Sequence, residues 1–157
     1  MRIWDTTTGA LVCELRHDGT PRRYYATALS PDTKLVAAID MTGSVTHVWD
    51  SASGAPLAEL HNDASGGPAL AISSDGRWLA SSGGDDVRVF DVSTWSEALV
   101  IAGPHIRTLS FDSTGPRLAT GSAGGDASIW EIPSGARTRH LREIGDPVNA
   151  IQWFVSY

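Results

Sequence analysis

A single cysteine, Cys13, stands among 157 residues. It excludes an internal disulfide and a cysteine-rich metal site, and with a reducing compartment the default, a cytoplasmic location is expected. Lysine is nearly absent: eleven of the twelve basic residues are arginine and only Lys34 is lysine. Against eighteen acidic residues they leave a formal charge of −6, the wrong sign for gripping phosphate backbones through a net field, so no nucleic-acid partner is expected. No apolar run approaches the roughly 18 to 20 residues that cross a bilayer. The longest clear one is Leu35 to Ile39, and no membrane partner is expected. The N-terminal Met1-Arg2-Ile3-Trp4-Asp5 has neither the apolar core nor the small-residue cleavage site of a secretory signal. Catalytic signatures are missing as well. The histidines at positions 17, 47, 61, 105 and 140 include no pair at helical zinc spacing, and neither a Gly-x-Ser-x-Gly elbow nor a phosphate-binding Gly-x-x-x-x-Gly-Lys loop occurs. The expectation is therefore no catalytic residue, no cofactor and no metal ligand.

What the chain does have is an internal repeat, the first feature to look for because it organises everything else. Trp4-Asp5, Trp49-Asp50, Phe90-Asp91 and Trp130-Glu131 each close a short apolar run, with the aromatics 45, 41 and 40 residues apart. A second marker keeps the same phase. Leu29, Ile72, Phe111 and Trp153 end another apolar stretch at spacings of 43, 39 and 42, and the first three lead into turn sequences at Ser30-Pro31-Asp32, Ser73-Ser74-Asp75-Gly76 and Asp112-Ser113-Thr114-Gly115. Between each turn and the next aromatic lie two further strand-length segments, for example Leu35 to Ile39 and Val45 to Trp49. Short β-branched and aromatic runs punctuated by Gly, Asp and Ser about every ten residues are the pattern of antiparallel strands joined by hairpins. A glycine follows the aromatic by five residues at Gly9, Gly54 and Gly135, where a turn needs a positive φ.

Four strands per period of 40 to 45 residues, with Trp-Asp closing the third, resembles the WD-repeat β-propeller family. The resemblance covers nearly the whole chain and implies an all-β fold of four-stranded antiparallel blades. With the strands of a blade named a to d from the channel outward, residues 1–15 supply c and d of a partial blade. Residues 16–61, 62–102 and 103–141 are expected to form full blades, and 142–157 strand a of a further, truncated one. Fifteen strands do not close a ring of four to eight four-stranded blades. Self-closure would leave strand b missing, a gap of roughly 10 Å flanked by unpaired backbone. Two expectations follow: the chain is a fragment of a longer propeller, or copies associate through their open blade faces.

In the family, a His near the repeat start, a Ser or Thr of strand b, an Asp of the b–c turn and the Trp of strand c form a hydrogen-bonded unit that locks each blade. No Gly-His dipeptide occurs here, and His17, His61 and His105 miss the usual offset. The resemblance implies a structural role for Trp4, Asp5, Trp49, Asp50, Phe90, Asp91, Trp130 and Glu131. It implies the same for the b–c turn aspartates Asp86 and Asp126, with Asp85 as alternative to Asp86 and Asp40 as a further match. Gly83-Gly84-Asp85-Asp86 and Gly124-Gly125-Asp126 are accordingly turns rather than a metal loop. The signature aromatics are expected in the core. The apolar residue before each (Ile3, Val48, Val89, Ile129) should face the opposite side, and the polar residue before that (Arg2, His47, Arg88, Ser128) a blade edge.

Function is better sought in departures from the repeat. Pro21-Arg22-Arg23-Tyr24-Tyr25, in the first d–a connection, brings together two guanidinium groups and two phenols, residue types that anchor protein interfaces. Trp95 replaces the turn glycine, so its ring is expected to project from the loop. Arg137, Arg139, His140 and Arg142 form a basic stripe on the last d strand. The resemblance implies a non-catalytic scaffold that docks protein or peptide partners, with Arg22, Arg23, Tyr24, Tyr25 and Trp95 as candidate contacts. The alternatives are a C-terminal sensor propeller of a multidomain NTPase or protein kinase, and a propeller enzyme built around the central channel. For the latter the channel positions Thr27, Ala71, Ser110 and Gln152 offer only small or neutral side chains.

Overall fold

The computed structural model describes residues 1–16, 22–42, 44–62, 68–83, 85–103, 105–142, 147–151 and 153. His17, Pro21, Gly84 and Gln152, named above, lie outside them, as do residues 154–157. Fourteen strands form among the described residues. The first sheet pairs β1 (Arg2–Trp4) with β2 (Leu11–Glu14). The second runs β3 (Tyr24–Leu29), β4 (Leu35–Asp40), β5 (Val45–Asp50) and β6 (Pro56–His61). The third holds β7 (Ala69–Ile72), β8 (Trp78–Gly83), β9 (Asp86–Asp91) and β10 (Ser96–Ala102). The fourth holds β11 (Ile106–Phe111), β12 (Arg117–Ser122), β13 (Asp126–Glu131) and β14 (Arg137–Arg142). Every pairing is antiparallel between sequence neighbours, so each sheet is a meander, and the sheets stack face to face as consecutive blades of an unclosed ring.

The period-two alternation of each strand is what joins the blades, since both faces are covered and both must be apolar. In β4, Val36 and Ala38 face the first sheet, in a core with Leu15, Ile3, Cys13 and Trp49, whereas Ala37 between them faces the third sheet with Val48, Leu79 and Phe90. In β9, Phe90 looks back to that core and Val89 forward to the next, where Trp78, Val87, Leu118 and Ile132 are buried and Trp130 packs against them. The signature aromatic therefore faces the preceding blade and the residue before it the following one.

That rule explains a correction to the expected core. Trp49 is 0% exposed and Phe90 5%, but Trp4 is 54% exposed, because no blade among the described residues precedes the first sheet. His47 is also corrected. It is buried at 1% rather than at a blade edge: strand c lies inside the sheet, β6 flanks it, and the rings of Tyr24 and Trp49 pack against it at 5.9 and 5.7 Å. Ser128 is likewise buried.

The turns repeat as closely as the strands. After strand a, the Ser30 hydroxyl donates to Asp32 at 2.6 Å and accepts from the Leu35 N–H at 2.9 Å; Ser73, Asp75 and Trp78 reproduce both bonds. In the fourth sheet Asp112 takes the serine's place and accepts from the Thr114 N–H and the Arg117 guanidinium. After strand c, Asp5, Asp50 and Asp91 cap the turn by accepting from backbone N–H groups two or three residues on. Gly9, Gly54 and Gly135 then take φ of 70°, 72° and 73°, and Trp95 takes 57° at the same place.

Two features bridge blades beyond apolar packing. Thr46 of β5 and Ser81 of β8 share a buried 2.8 Å hydrogen bond, and the Asn62 amide donates to both hydroxyls. At the other end of the chain, residues 147–151 and 153 pair with no strand, which corrects the expected strand a. With no strand beside them among the described residues, they are held by side chains and single bonds. Val148 N–H donates to the Ser122 carbonyl at 3.0 Å and the Trp153 indole to the Ser110 carbonyl at 3.1 Å. Val148 and Ile151 lie so close over Gly121 that a Cβ there would sit 2.5 Å from Val148 Cγ1.

Candidate partner-binding surface

The d–a connection entering β3 and the turn between β4 and β5 meet at one end of the second sheet. Tyr24 and Asp40 are Cα partners, and the Met41 N–H donates to the Arg23 carbonyl at 3.1 Å. A register shift falls between Tyr24 and Ala26, and the two adjacent tyrosines go to different places. Tyr24 turns inward, edge-on to Trp49 at 5.6 Å and to His47. Tyr25 turns outward and is 64% exposed. Of the two phenols expected to contact a partner, Tyr24 is thus a half-buried core residue and Tyr25 a surface one.

Arg22 and Arg23 are exposed beside Tyr25, and the structure adds Met41, 55% exposed across the strand pair. The sequence carried a signal for it. The other two b–c turns hold glycine or alanine, at Gly83-Gly84 and Ala123-Gly124-Gly125, where this one holds a long thioether. The turn beneath is fixed by Asp40, whose carboxylate accepts from Thr42 Oγ1 at 2.8 Å and from the Ser44 and Val45 N–H groups. An aromatic ring, an adaptable thioether and guanidinium groups beside a hydrogen-bonded turn form a combination suited to gripping another protein.

Trp95 is not part of this surface, and its ring does not project. It packs half-buried against the core that contains Ala37, Val48, Leu60, Leu79 and Phe90. The left-handed backbone that the repeat reserves for glycine here turns a large side chain back onto the blade interface. The basic stripe is where expected: all six residues of β14 are exposed.

The family's locking unit is realised in part. The Trp130 indole donates to Thr120 Oγ1 of strand b at 3.0 Å, whereas the Trp49 indole donates to the Arg16 carbonyl and Phe90 has no N–H to offer. Asp85 accepts from the His105 N–H at 3.1 Å, and Asp126 faces Arg142 at 3.7 Å. Asp86 pairs across the sheet with Gly83 and Ala102. Glu131, one methylene longer than aspartate, makes no side-chain cap; the Ser134 hydroxyl reaches its carbonyl instead. Of the channel positions Thr27 is exposed and Ala71 and Ser110 are half-buried. Among the described residues no group of three or more His, Cys, Asp or Glu is placed to hold a metal ion.

Solved structures share this architecture. The chain superposes on the structure of U3-55K with a TM-score of 0.74 at 18% identity, covering 82% of this chain and 42% of that one. It matches the crystal structure of the RRP9 WD40 repeats with a TM-score of 0.72, also at 18% identity, covering 82% and 41%. In sequence it is 25% identical over 132 residues to pre-mRNA-processing factor 19 homolog 2 of Arabidopsis thaliana, covering 84% of this chain and 25% of that protein. It is 26% identical over 142 residues to telomerase protein component 1 of Rattus norvegicus, covering 87% of this chain and 5% of that protein. The chain thus spans a quarter or less of the length of either relative. The family model for the WD domain, G-beta repeat, matches residues 56–91 and 98–131. Both windows run from a d strand through a, b and c of the next blade and end on the signature pair, so these residues carry WD repeats, and the solved structures share the propeller fold of the chain.

Proposed function

We propose that this chain is a non-catalytic protein-interaction scaffold, and that Arg22, Arg23, Tyr25 and Met41 form its principal docking surface. One observation carries the reading: Tyr25 and Met41, 64% and 55% exposed, lie at the same end of the second sheet, where the Met41 N–H bond to the Arg23 carbonyl ties the b–c turn to the entry of β3. An ordered backbone beneath these side chains leaves only side-chain freedom to be lost on binding, and flanking guanidinium groups add directional hydrogen bonds. The rest of the turn network is spent on holding strands. A scaffold role also accords with the relative named as a protein component of telomerase.

The test is affinity capture with the purified chain, comparing wild type with Arg23→Ala, Tyr25→Ala and Met41→Ala and quantifying retained proteins by mass spectrometry. The expected result is a common set of proteins lost from all three variants while their circular dichroism and melting curves stay unchanged. Undiminished capture by every variant would overturn the surface.

A further inference from the structure

The outermost strand of the fourth sheet differs in charge from its counterparts. Strands β6 and β10 each carry one acid, and both acids turn back onto strand c: Glu59 lies 3.5 Å from His47, and Glu97 2.5 Å from Arg88. Strand β14 reads Arg137-Thr138-Arg139-His140-Leu141-Arg142 and has no acid at all, although the chain as a whole is at −6. All six residues are exposed, and among the described residues nothing pairs with its outer edge.

The cations are held but not neutralised. Arg137 lies over the Trp130 ring at 5.7 Å, and Arg139 donates to the Thr138 carbonyl. Among the described residues neither meets a carboxylate within ion-pair distance. Only Arg142 does, at 3.7 Å from Asp126. Ring stacking and the backbone bond fix the direction of two guanidinium groups while leaving donors unused. Between β14 and the end of β10 opens a cleft of about 90 Å³, lined by Arg137, His140, Ser122 and Ser128, with Asp126 also on its wall. His140 Nδ1 is engaged with Ser128 Oγ at 3.0 Å, which orients the ring at the mouth.

We propose that β14 is a second docking site, for an acidic peptide segment that binds in extended form. The segment adds a fifth strand to the sheet edge, and its carboxylates meet Arg137, Arg139 and His140. An exposed edge supplies unpaired backbone donors and acceptors at strand spacing, and alternate side chains supply selectivity. The charge of the strand selects the class of occupant: a basic edge repels another basic strand and attracts an acidic one. This site is separate from the surface around Tyr25, and neither depends on the other.

The probe is a fluorescein-labelled ten-residue peptide alternating Glu and Val, titrated against the whole chain by anisotropy at low and at physiological salt. Beside it run a Gln/Val peptide, a Glu/Val peptide N-methylated at alternate residues and a ten-nucleotide oligouridylate. The expected result is binding of the unmodified acidic peptide alone. It weakens with salt and falls about tenfold in the Arg137→Glu/Arg139→Glu variant, since exposed pairs contribute modestly and two are reversed. Arg139→Gln, which disturbs neither the Trp130 stack nor the cleft, should show a smaller loss with unchanged melting. Equal binding of the Gln/Val peptide would reduce the arginines to a guard against edge-to-edge pairing and overturn the proposal. Undiminished binding of the methylated peptide would remove the added strand, and binding of oligouridylate without the acidic peptide would assign the stripe to a nucleic acid; either result refutes the proposal as stated.

Discussion

Trp95 allows the backbone and the side chain of one residue to be weighed separately. It holds φ of 57°, in the region its three counterparts fill with glycine, and this conformation costs an L-residue about 1 to 2 kcal/mol. Against that cost stands the packing of its half-buried ring on the Ala37, Val48, Leu79 and Phe90 core. Truncating a fully buried Trp to Ala costs about 3 to 5 kcal/mol, so about half of that, near 2 kcal/mol, is expected here. Alanine keeps the backbone cost and loses the ring, so Trp95→Ala should destabilise by about 2 kcal/mol. Glycine loses the ring but relieves the backbone, so Trp95→Gly should destabilise by about 1 kcal/mol less than alanine does. Urea unfolding followed by far-ultraviolet circular dichroism reads both values from the shift in midpoint at constant slope. A neutral Trp95→Ala would mean that the ring does not pack and projects as the sequence suggested. Glycine no better than alanine would refute the left-handed backbone.

Two other outcomes follow from the same structure. The turn carboxylates are held below the usual aspartate range: Asp5 chiefly by the Thr8 N–H, Asp32 by the Ser30 hydroxyl, Asp50 by that of Ser53 and Asp91 by that of Ser93. At Asp75 and Asp112 burial pulls upward, and hydrogen bonds led by Ser73 and by the Thr114 N–H outweigh it. A depressed folded-state pKa gives stability that is full above the unfolded value near 3.8 and is lost as pH falls through the folded value. The urea midpoint should therefore be set by these groups only below about pH 4, with Asp32→Asn flattening the fall; an acid limb unchanged by that substitution would contradict the turn geometry. Facing direction gives the second outcome. Trp49→Ala should cost about 3 to 5 kcal/mol and Trp4→Ala about 1 kcal/mol or less, because the first ring is fully buried and the second 54% exposed; equal losses in urea unfolding would contradict the uncovered face.

The repeat made the strands, the turns and the order of the blades legible, because each depends on neighbours within a few residues. Asp50 and Gly54 specify their turn locally, and Ser73 with Asp75 does the same. Burial was less legible. Ile3-Trp4-Asp5 and Val48-Trp49-Asp50 are nearly the same sequence, yet one indole is bare and the other enclosed, since what covers it is a different blade. Strand character failed at Val148, Ile151 and Trp153 for a related reason: their apolar spacing fits strand a, but a strand needs a ladder partner, and side-chain spacing does not supply one. His47 looked like a surface residue because its type is polar, and only the stacking of Tyr24 and the depth of strand c enclose it.

A repeat of this kind also separates scaffold from function. Positions that recur in every blade are occupied by the demands of packing, so a partner can be recognised only where one blade departs from the others. Departure alone does not suffice, as Trp95 shows: the fold absorbs it by turning the ring inward, and it drops out of the candidate surface. Met41 replaces glycine or alanine and is not absorbed: it stays 55% exposed at its turn. The arginines of β14 are not absorbed either, because no further strand lies outside them among the described residues. What distinguishes the surviving candidates is that the deviation falls at a position the ring geometry leaves uncovered, at a turn apex or on an outer edge. Burial removes Tyr24 and keeps Tyr25, one residue apart in the chain: the first packs on Trp49 and His47 and the second is 64% exposed.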